Sequence, residues 1–128
     1  MNAMKPLDGK VAVVTGAGGT MGRAVVQALV DDGCRVGAID LNQAAFATLE
    51  LAHGDAVCAV ACDIGDPAQV QRAHRTVVDA YGEVDILVNN AGILSNNKLL
   101  ATQLDEWHAC SPPTSTARCS GRRRWCRR

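Results

Sequence analysis

Short apolar runs alternate with helical patterns between residues 10 and 88. Four runs rich in valine and alanine predict strands, at 10–15, 35–39, 56–61 and 84–88. Three intervening segments have helical spacing, at 21–30, 41–53 and 66–82. The runs lack polar alternation, which is typical of strands buried on both faces of a parallel sheet. The order therefore predicts a three-layer α/β/α domain with right-handed crossovers.

Glycine or polar residues close all four predicted strands, at Gly16, Asp40, Asp63 and Asn90. One such residue alone is as well explained by a solvated turn. In parallel α/β sheets, however, ligands bind beyond the carboxyl ends of the strands. Four polar ends together therefore indicate a lined crevice at that edge of the sheet.

A glycine-rich turn joins the first predicted strand to the first predicted helix, with Gly16, Gly18, Gly19 and Gly22. Glycines let a backbone approach a pyrophosphate closely, and the helix that follows offers free N–H groups and the positive end of its dipole. Asp40 follows Gly22 by 18 residues and ends the second strand, where a carboxylate can accept hydrogen bonds from ribose hydroxyls. A carboxylate there would repel a 2′-phosphate. The pattern predicts a dinucleotide site that favours NAD over NADP.

Four segments, at residues 15–22, 63–64, 89–92 and 104–107, resemble motifs of the short-chain dehydrogenase/reductase family, and the resemblance covers about residues 7–110. The segment Thr15–Gly22 is similar to its TGxxxGxG loop, with Thr20 in place of the middle glycine, and residues 89–92 match its NNAG motif without change. Asp63–Ile64 resembles its adenine-contacting pair, and residues 104–107 resemble the start of its next long helix. The resemblance implies a Rossmann-like fold, with strand order 3-2-1-4 in this part.

The resemblance also implies a role for each matching position. The glycine loop and the Met21 backbone would hold the pyrophosphate, Asp40 the adenosine ribose, Asp63 and Ile64 the adenine. Residues 90–92 would run beside the nicotinamide ribose. The full candidate set for cofactor binding is Gly16, Gly18, Gly19, Thr20, Met21, Gly22, Asp40, Leu41, Asp63, Ile64, Asn90, Ala91 and Gly92.

The catalytic residues that the resemblance implies are missing from the 128 residues. The family uses a Tyr-x-x-x-Lys pair and a Ser for hydride transfer between nicotinamide and a small alcohol or carbonyl compound. The single tyrosine, Tyr81, has no lysine four residues later, and the last lysine is Lys98. Tyr81 is therefore interpreted as a packing residue at a helix end. We expect an oxidoreductase by family, an inactive chain, and no catalytic residue among those present.

Residues 111–128 differ from the rest of the chain in charge and pattern. They contain six arginines and no acid, whereas residues 1–110 carry an excess of six acidic groups. Pro112 and Pro113 end the helical pattern before them. A codon-shifted reading of this segment permits a sequence similar to the family, so a frameshift near codon 110 is our hypothesis. A nucleic-acid-binding arm and a metal or redox tail remain alternatives, the first disfavoured by the acidic body.

Length and composition set the remaining expectations. The chain is predicted to form one partial NAD-binding domain at 1–110, followed by an irregular tail at 111–128. No apolar run is long enough to span a membrane and no signal peptide is apparent, so the cytoplasm is the default location. Six cysteines without a CxxC pair are interpreted as buried or incidental thiols. Without the family's remaining strands and dimer helices, exposed apolar edges predict low solubility. A non-catalytic dinucleotide-binding module and a non-functional product stay open as alternatives.

Overall fold

The computed structural model describes residues 4–92, which form a four-stranded parallel sheet flanked by helices. In chain order the elements are β1 (Val11–Thr15), α1 (Thr20–Asp31), β2 (Arg35–Asp40), α2 (Phe46–His53), β3 (Val57–Ala61), α3 (Pro67–Tyr81) and β4 (Ile86–Val88). Single 3₁₀ turns precede and follow α2, at Gln43–Ala45 and Gly54–Ala56. The sheet order is β3-β2-β1-β4, as predicted, and the α/β/α class is confirmed.

Alternate residues of the strands belong to two separate hydrophobic cores, one on each face of the sheet. Ala12 and Val14 of β1 pack with Val26 of α1 and Leu49 of α2. The intervening side chains face the opposite way and join a core with α3, which includes Val77. Successive strand residues point to opposite faces of a sheet, so one apolar run supplies both cores.

Close approach of α3 depends on one glycine of the sheet. A Cβ on Gly37 of β2 would lie 2.7 Å from Cγ2 of Val77. The missing side chain therefore lets α3 pack directly against the middle of the sheet. The start of α3 follows its predicted signals, because the Asp66 side chain accepts hydrogen bonds from the first-turn N–H groups and Pro67 occupies the first helical position.

The prediction that all four strands are buried on both faces was wrong for the two outer strands. β1 is buried along its whole length, and β2 is buried apart from its ends. β3 and β4 are mostly half-buried, because each has only one neighbouring strand within the described sheet. These two strands are also where an apolar edge would be exposed.

Two element boundaries differ by two residues or more from the sequence-based predictions. The second helix was predicted from residue 41, but α2 begins only at Phe46, because the Asn42 side chain accepts the Ala44 N–H and starts a 3₁₀ turn instead. The last strand was predicted from residue 84, but β4 begins at Ile86. There the Asp85 carboxylate, rather than a backbone carbonyl, accepts the Val11 N–H at 3.0 Å.

The predicted tail at 111–128, and the helix start at 104–107, lie outside the described residues. Within residues 4–92, no helix has the length and apolarity needed to cross a membrane. The three cysteines in this range, Cys34, Cys58 and Cys62, are free thiols.

Candidate functional site

A cleft of about 710 Å³ lies at the carboxyl ends of the four strands. Its volume is in the range typical of small-molecule sites. Twelve of the thirteen sequence-predicted residues line it: Gly16, Gly19, Thr20, Met21, Gly22, Asp40, Leu41, Asp63, Ile64, Asn90, Ala91 and Gly92. The topology thus brings together residues up to 76 positions apart along the chain.

Three residues depart from the sequence-based prediction of the lining. Gly18 is not part of the cleft wall; its N–H points instead to the carboxylate of Asp40. Ile39 and Cys62 line the cleft but were not predicted. Each directly precedes a predicted aspartate, so its position along the chain was the available signal.

The glycine loop packs so tightly that its first and last glycines leave no room for a side chain. Gly16 has a φ of +65°, and a Cβ there would lie 2.9 Å from Cα of Ala91. A Cβ on Gly22 would overlap the carbonyl oxygen of Gly16. The first glycine therefore brings the loop against the turn after β4, and the last brings α1 against the loop.

The N-terminus of α1 opens into the cleft, and within residues 4–92 its first N–H groups have no hydrogen-bond acceptor. The first bond into the helix runs from the Arg23 N–H to the Gly19 oxygen, at 2.9 Å. The N–H groups of Thr20, Met21 and Gly22 precede it and have no carbonyl one turn back to receive them. Gly19 provides no side-chain cap, and no acid lies in the first turn. An anion is the natural acceptor for such a helix end.

Thr20 fits this helix end although it replaces a glycine of the family pattern. Among residues 4–92, no residue other than glycine has a positive φ. Thr20 is the first residue of α1, and its side chain is exposed at the cleft. A β-branched residue therefore requires no backbone strain here.

Asp40 is held in place by two backbone donors. Its Oδ2 accepts the Gly18 N–H at 2.8 Å, and its Oδ1 accepts the Asn42 N–H at 2.9 Å. A carboxylate offers about four acceptor positions, so both oxygens keep capacity for a ligand hydroxyl. The carboxylate lies at the point where the glycine loop meets the end of β2.

Asp63 and Ile64 form the side of the cleft beyond β3. Asp63 Oδ1 accepts the Gly65 N–H at 2.8 Å, and its own N–H donates to Oε1 of Gln69 at 2.9 Å. Ile64 packs against the core beneath α3. Burial raises the pKa of the neighbouring Cys62 thiol to about 11, with a further contribution from the Asp63 charge. Cys62 is therefore an uncharged, apolar part of the wall at neutral pH.

The turn after β4 is fastened to β1 by a buried hydroxyl. Thr15 Oγ1 accepts the N–H groups of Asn90 and Ala91 at 3.1 and 3.0 Å. The Asn90 side chain donates from Nδ2 to the Gly16 oxygen at 3.2 Å. The threonine before the glycine loop thus sets the position of the NNAG motif, a role that the sequence analysis did not assign to it.

Tyr81 lies away from the cleft. Its hydroxyl donates to the Asp55 carbonyl oxygen at 2.8 Å, and the Arg35 guanidinium lies 5.6 Å from its ring centroid. Asp55 precedes β3 and Arg35 begins β2, so this contact is at the amino ends of the strands. Burial raises the pKa of the Tyr81 phenol. In this position it packs the end of α3, as interpreted from the sequence.

The fold and cleft together define an α/β nucleotide-binding domain of the doubly wound type. The family model described as short chain dehydrogenase matches residues 10–116. The chain belongs to the short chain dehydrogenase family.

Individual relatives agree with this assignment. The chain is 41% identical to a sorbitol dehydrogenase of Cereibacter sphaeroides over 68% of its own length and 34% of the relative's. It is 41% identical to a D-threitol dehydrogenase of Mycolicibacterium smegmatis, over 79% of this chain and 40% of that protein. The chain therefore spans well under half the length of these curated relatives.

Solved structures support the same fold. A 3-ketoacyl-(acyl-carrier-protein) reductase from Brucella melitensis, complexed with NADH, superposes with a TM-score of 0.87 at 32% identity. The match covers 91% of this chain and 49% of that one. A short-chain dehydrogenase/reductase from Burkholderia xenovorans gives a TM-score of 0.83 at 37% identity, over 93% of this chain and 50% of that one.

Proposed function

We propose that the cleft binds NAD, in preference to NADP, in the orientation that the sequence motifs imply. The pyrophosphate lies at the N-terminus of α1, and the adenosine ribose donates to Asp40. Asp63 and Ile64 flank the adenine, and residues 90–92 run beside the nicotinamide ribose. The observation that carries this proposal is the juxtaposition of unshared α1 donors with the Asp40 carboxylate at one cleft.

The chemistry of the lining suits this ligand. Among residues 4–92, the cleft lining includes two carboxylates, Asp40 and Asp63, and no Lys or Arg. A pyrophosphate must therefore be held chiefly by backbone N–H groups and the helix dipole, as the glycine loop permits. The carboxylates are left to accept hydrogen bonds from hydroxyl or amino groups.

Charge at Asp40 supports the preference for NAD. A 2′-phosphate on the adenosine would lie close to this carboxylate, and like charges a few ångströms apart repel by about 1 to 4 kcal/mol in partly solvated surroundings. The residues that follow, Leu41, Asn42 and Gln43, carry no positive charge to offset this repulsion. NAD, with a ribose hydroxyl at that position, gains a hydrogen bond instead.

The whole protein is proposed to be an NAD-dependent oxidoreductase of small alcohols or carbonyl compounds. This class includes the activities named for its relatives, such as sorbitol and D-threitol dehydrogenases. A bound nicotinamide supplies or accepts the hydride. The residues of this chain bind and orient that group, and the turn at residues 90–92 limits where its ribose can lie.

The 128-residue chain itself is proposed to bind dinucleotide without turnover. Its single tyrosine is engaged by Asp55 at the end of the sheet opposite the cleft, and no Tyr-x-x-x-Lys pair occurs in the sequence. We further propose that the reading frame shifts near codon 110, so that 1–110 is the family domain and 111–128 an out-of-frame tail. Sequencing the gene tests this; codons that give no Tyr-x-x-x-Lys pair in another frame would refute it.

Titration of the 128-residue chain tests the binding proposal. NADH and NADPH are added separately at low and physiological salt, with NADH fluorescence and calorimetry as readouts. We expect NADH to bind at least about ten-fold more tightly, which corresponds to 1.4 kcal/mol. Equal affinity for the two would refute the preference. If cooperatively unfolding protein binds neither, the dinucleotide site itself is refuted.

A turnover assay tests the proposal that the 128-residue chain does not catalyse hydride transfer. The chain is incubated with NAD and a polyol, or with NADH and a ketone, and absorbance at the nicotinamide band is followed. We expect no change above a protein-free control. Hydride transfer that scales with protein concentration would contradict a chain without catalytic residues.

A further inference from the structure

Gly18 is the one predicted loop residue outside the cleft wall, and side chains from two different elements hold its main chain. Its N–H donates to Oδ2 of Asp40, at the end of β2, at 2.8 Å. Its carbonyl oxygen accepts Nε of Arg23, on α1, at 3.0 Å. Both partners are charged, so both bonds belong to the stronger, charge-assisted kind.

We propose that Asp40 and Arg23 clamp Gly18, and that Arg23 is thereby a positioning residue for dinucleotide binding. The proposal rests on the dinucleotide site proposed above. The clamp fixes the loop before the ligand arrives, so that the α1 donors at residues 20–22 already point into the cleft. A loop ordered in advance binds more tightly because less conformational entropy is lost on binding.

Close packing between its partners leaves no room for a side chain at Gly18. A Cβ at Gly18 would lie 2.7 Å from Cβ of Ala45 and 3.0 Å from Oδ2 of Asp40. A residue with a side chain would push the loop away from the carboxylate. The glycine is thus required for the bond to Asp40, rather than for contact with a phosphate.

Arg23 does not line the cleft, and its side chain is exposed on α1. Arg23 could affect NAD binding through its hydrogen bond to Gly18 or through its positive charge, and the two explanations need different chemical groups. A clamp needs an N–H donor at the position of Nε, whereas an electrostatic contact with phosphate needs the positive charge. Glutamine places a neutral N–H donor at nearly the same distance along the side chain, and methionine places a methyl group there.

The matched pair R23Q and R23M therefore separates the two explanations. NAD affinity of the full chain is measured by calorimetry, and exchange of the Gly18 amide hydrogen is measured by NMR without ligand. We expect R23M to bind NAD about five-fold more weakly, the equivalent of one hydrogen bond. R23Q should stay within about two-fold of the unsubstituted chain, and adenosine, which has no phosphate, should bind all three chains equally.

Gly18 exchange reports the clamp directly. We expect exchange to be about five-fold faster in R23M than in R23Q, and faster still in D40A, which removes the acceptor of this N–H. R75M, at an exposed position of α3, controls for loss of an arginine and should leave Gly18 unchanged.

Two results would overturn the proposal. Equal weakening of NAD binding in R23Q and R23M, with Gly18 exchange unchanged, would mean that Arg23 acts through its charge. Unchanged binding and exchange in R23M would mean that its bond to Gly18 has no effect. If the chain binds no NAD at all, the proposed function fails, while the exchange comparison still decides whether the clamp exists.

Discussion

Thr15→Val removes the hydroxyl that fastens the turn after β4 to β1. The hydroxyl accepts two backbone N–H groups, from Asn90 and Ala91, and donates to the Val88 oxygen at 3.4 Å. Valine has nearly the same shape but no hydrogen-bonding group. The residue is 4% exposed, so water does not readily replace the lost oxygen.

The expected cost follows from which bonds are lost. The Asn90 N–H keeps a second acceptor, the Val88 oxygen at 3.1 Å, so this group loses only one of its two hydrogen bonds. The Ala91 N–H loses its acceptor at Thr15, and the long bond to Val88 disappears. One fully lost bond with a donor left behind costs about 1–2 kcal/mol of the free energy of unfolding.

Thr15→Ser is the matched control, since it keeps the oxygen and loses only a buried methyl group, at a cost of about 1 kcal/mol. Urea unfolding followed by circular dichroism gives the two free energies, and NMR gives hydrogen exchange at Ala91. We expect faster Ala91 exchange in T15V and unchanged exchange in T15S. If T15V unfolds within about 0.3 kcal/mol of the unsubstituted chain and Ala91 exchange is unchanged, the hydroxyl does not hold the turn.

Three further predictions concern the loop, a helix cap and a thiol. Gly22→Ala should abolish measurable NAD binding in calorimetry and destabilise the fold by about 1–3 kcal/mol, because its Cβ would overlap the Gly16 oxygen. G19A, whose Cβ would lie 3.6 Å from the same oxygen, is the control for the stability effect alone, in urea unfolding. Hydrogen bonds lower the pKa of Asp66, so its contribution to stability is complete above the unfolded value of 3.8 and is lost as pH falls through the lower folded value. D66N retains a capping oxygen, so its unfolding midpoint should fall less between pH 5 and pH 2.5 than that of the unsubstituted chain; parallel curves would contradict this. Cys62 has a pKa of about 11 and is 3% exposed, so little reactive thiolate forms and reagents reach it poorly. At pH 8 it should react with iodoacetamide at least about 100-fold more slowly in the folded chain than in urea. Mass spectrometry measures the two rates, and equal rates would refute its burial.

Sequence patterns predicted the parallel α/β layers and most of the cleft because those features depend on local signals, whereas the strand order was predicted from the family resemblance. Apolar β-branched runs and glycine or polar residues at their ends are visible in the chain itself, and parallel topology brings those ends together. The aspartate–proline start of α3 is equally local. The family motifs then assigned each end to a part of one ligand.

What the sequence did not predict depends on contacts between distant residues. Nothing near Thr15 along the chain indicates that its hydroxyl accepts N–H groups 75 and 76 positions away. The delayed start of β4 depends on the Asp85 side chain reaching the Val11 N–H across strands. Burial of the outer strands likewise depends on how many neighbours they have, which apolar composition alone does not reveal.

The polar residues at the strand ends make hydrogen bonds within the protein itself. Asp40 holds Gly18 and Asn42, Asn90 holds Gly16, and Thr15 holds the turn opposite. Each of these bonds joins backbone segments that no strand ladder reaches, so the cleft has its shape without relying on the dinucleotide. If the cleft binds NAD as proposed, substitution of Asp40 is unsuited to converting it to NADP. The substitution would relieve repulsion of the 2′-phosphate but also release the loop proposed to hold the pyrophosphate, a group that both dinucleotides contain.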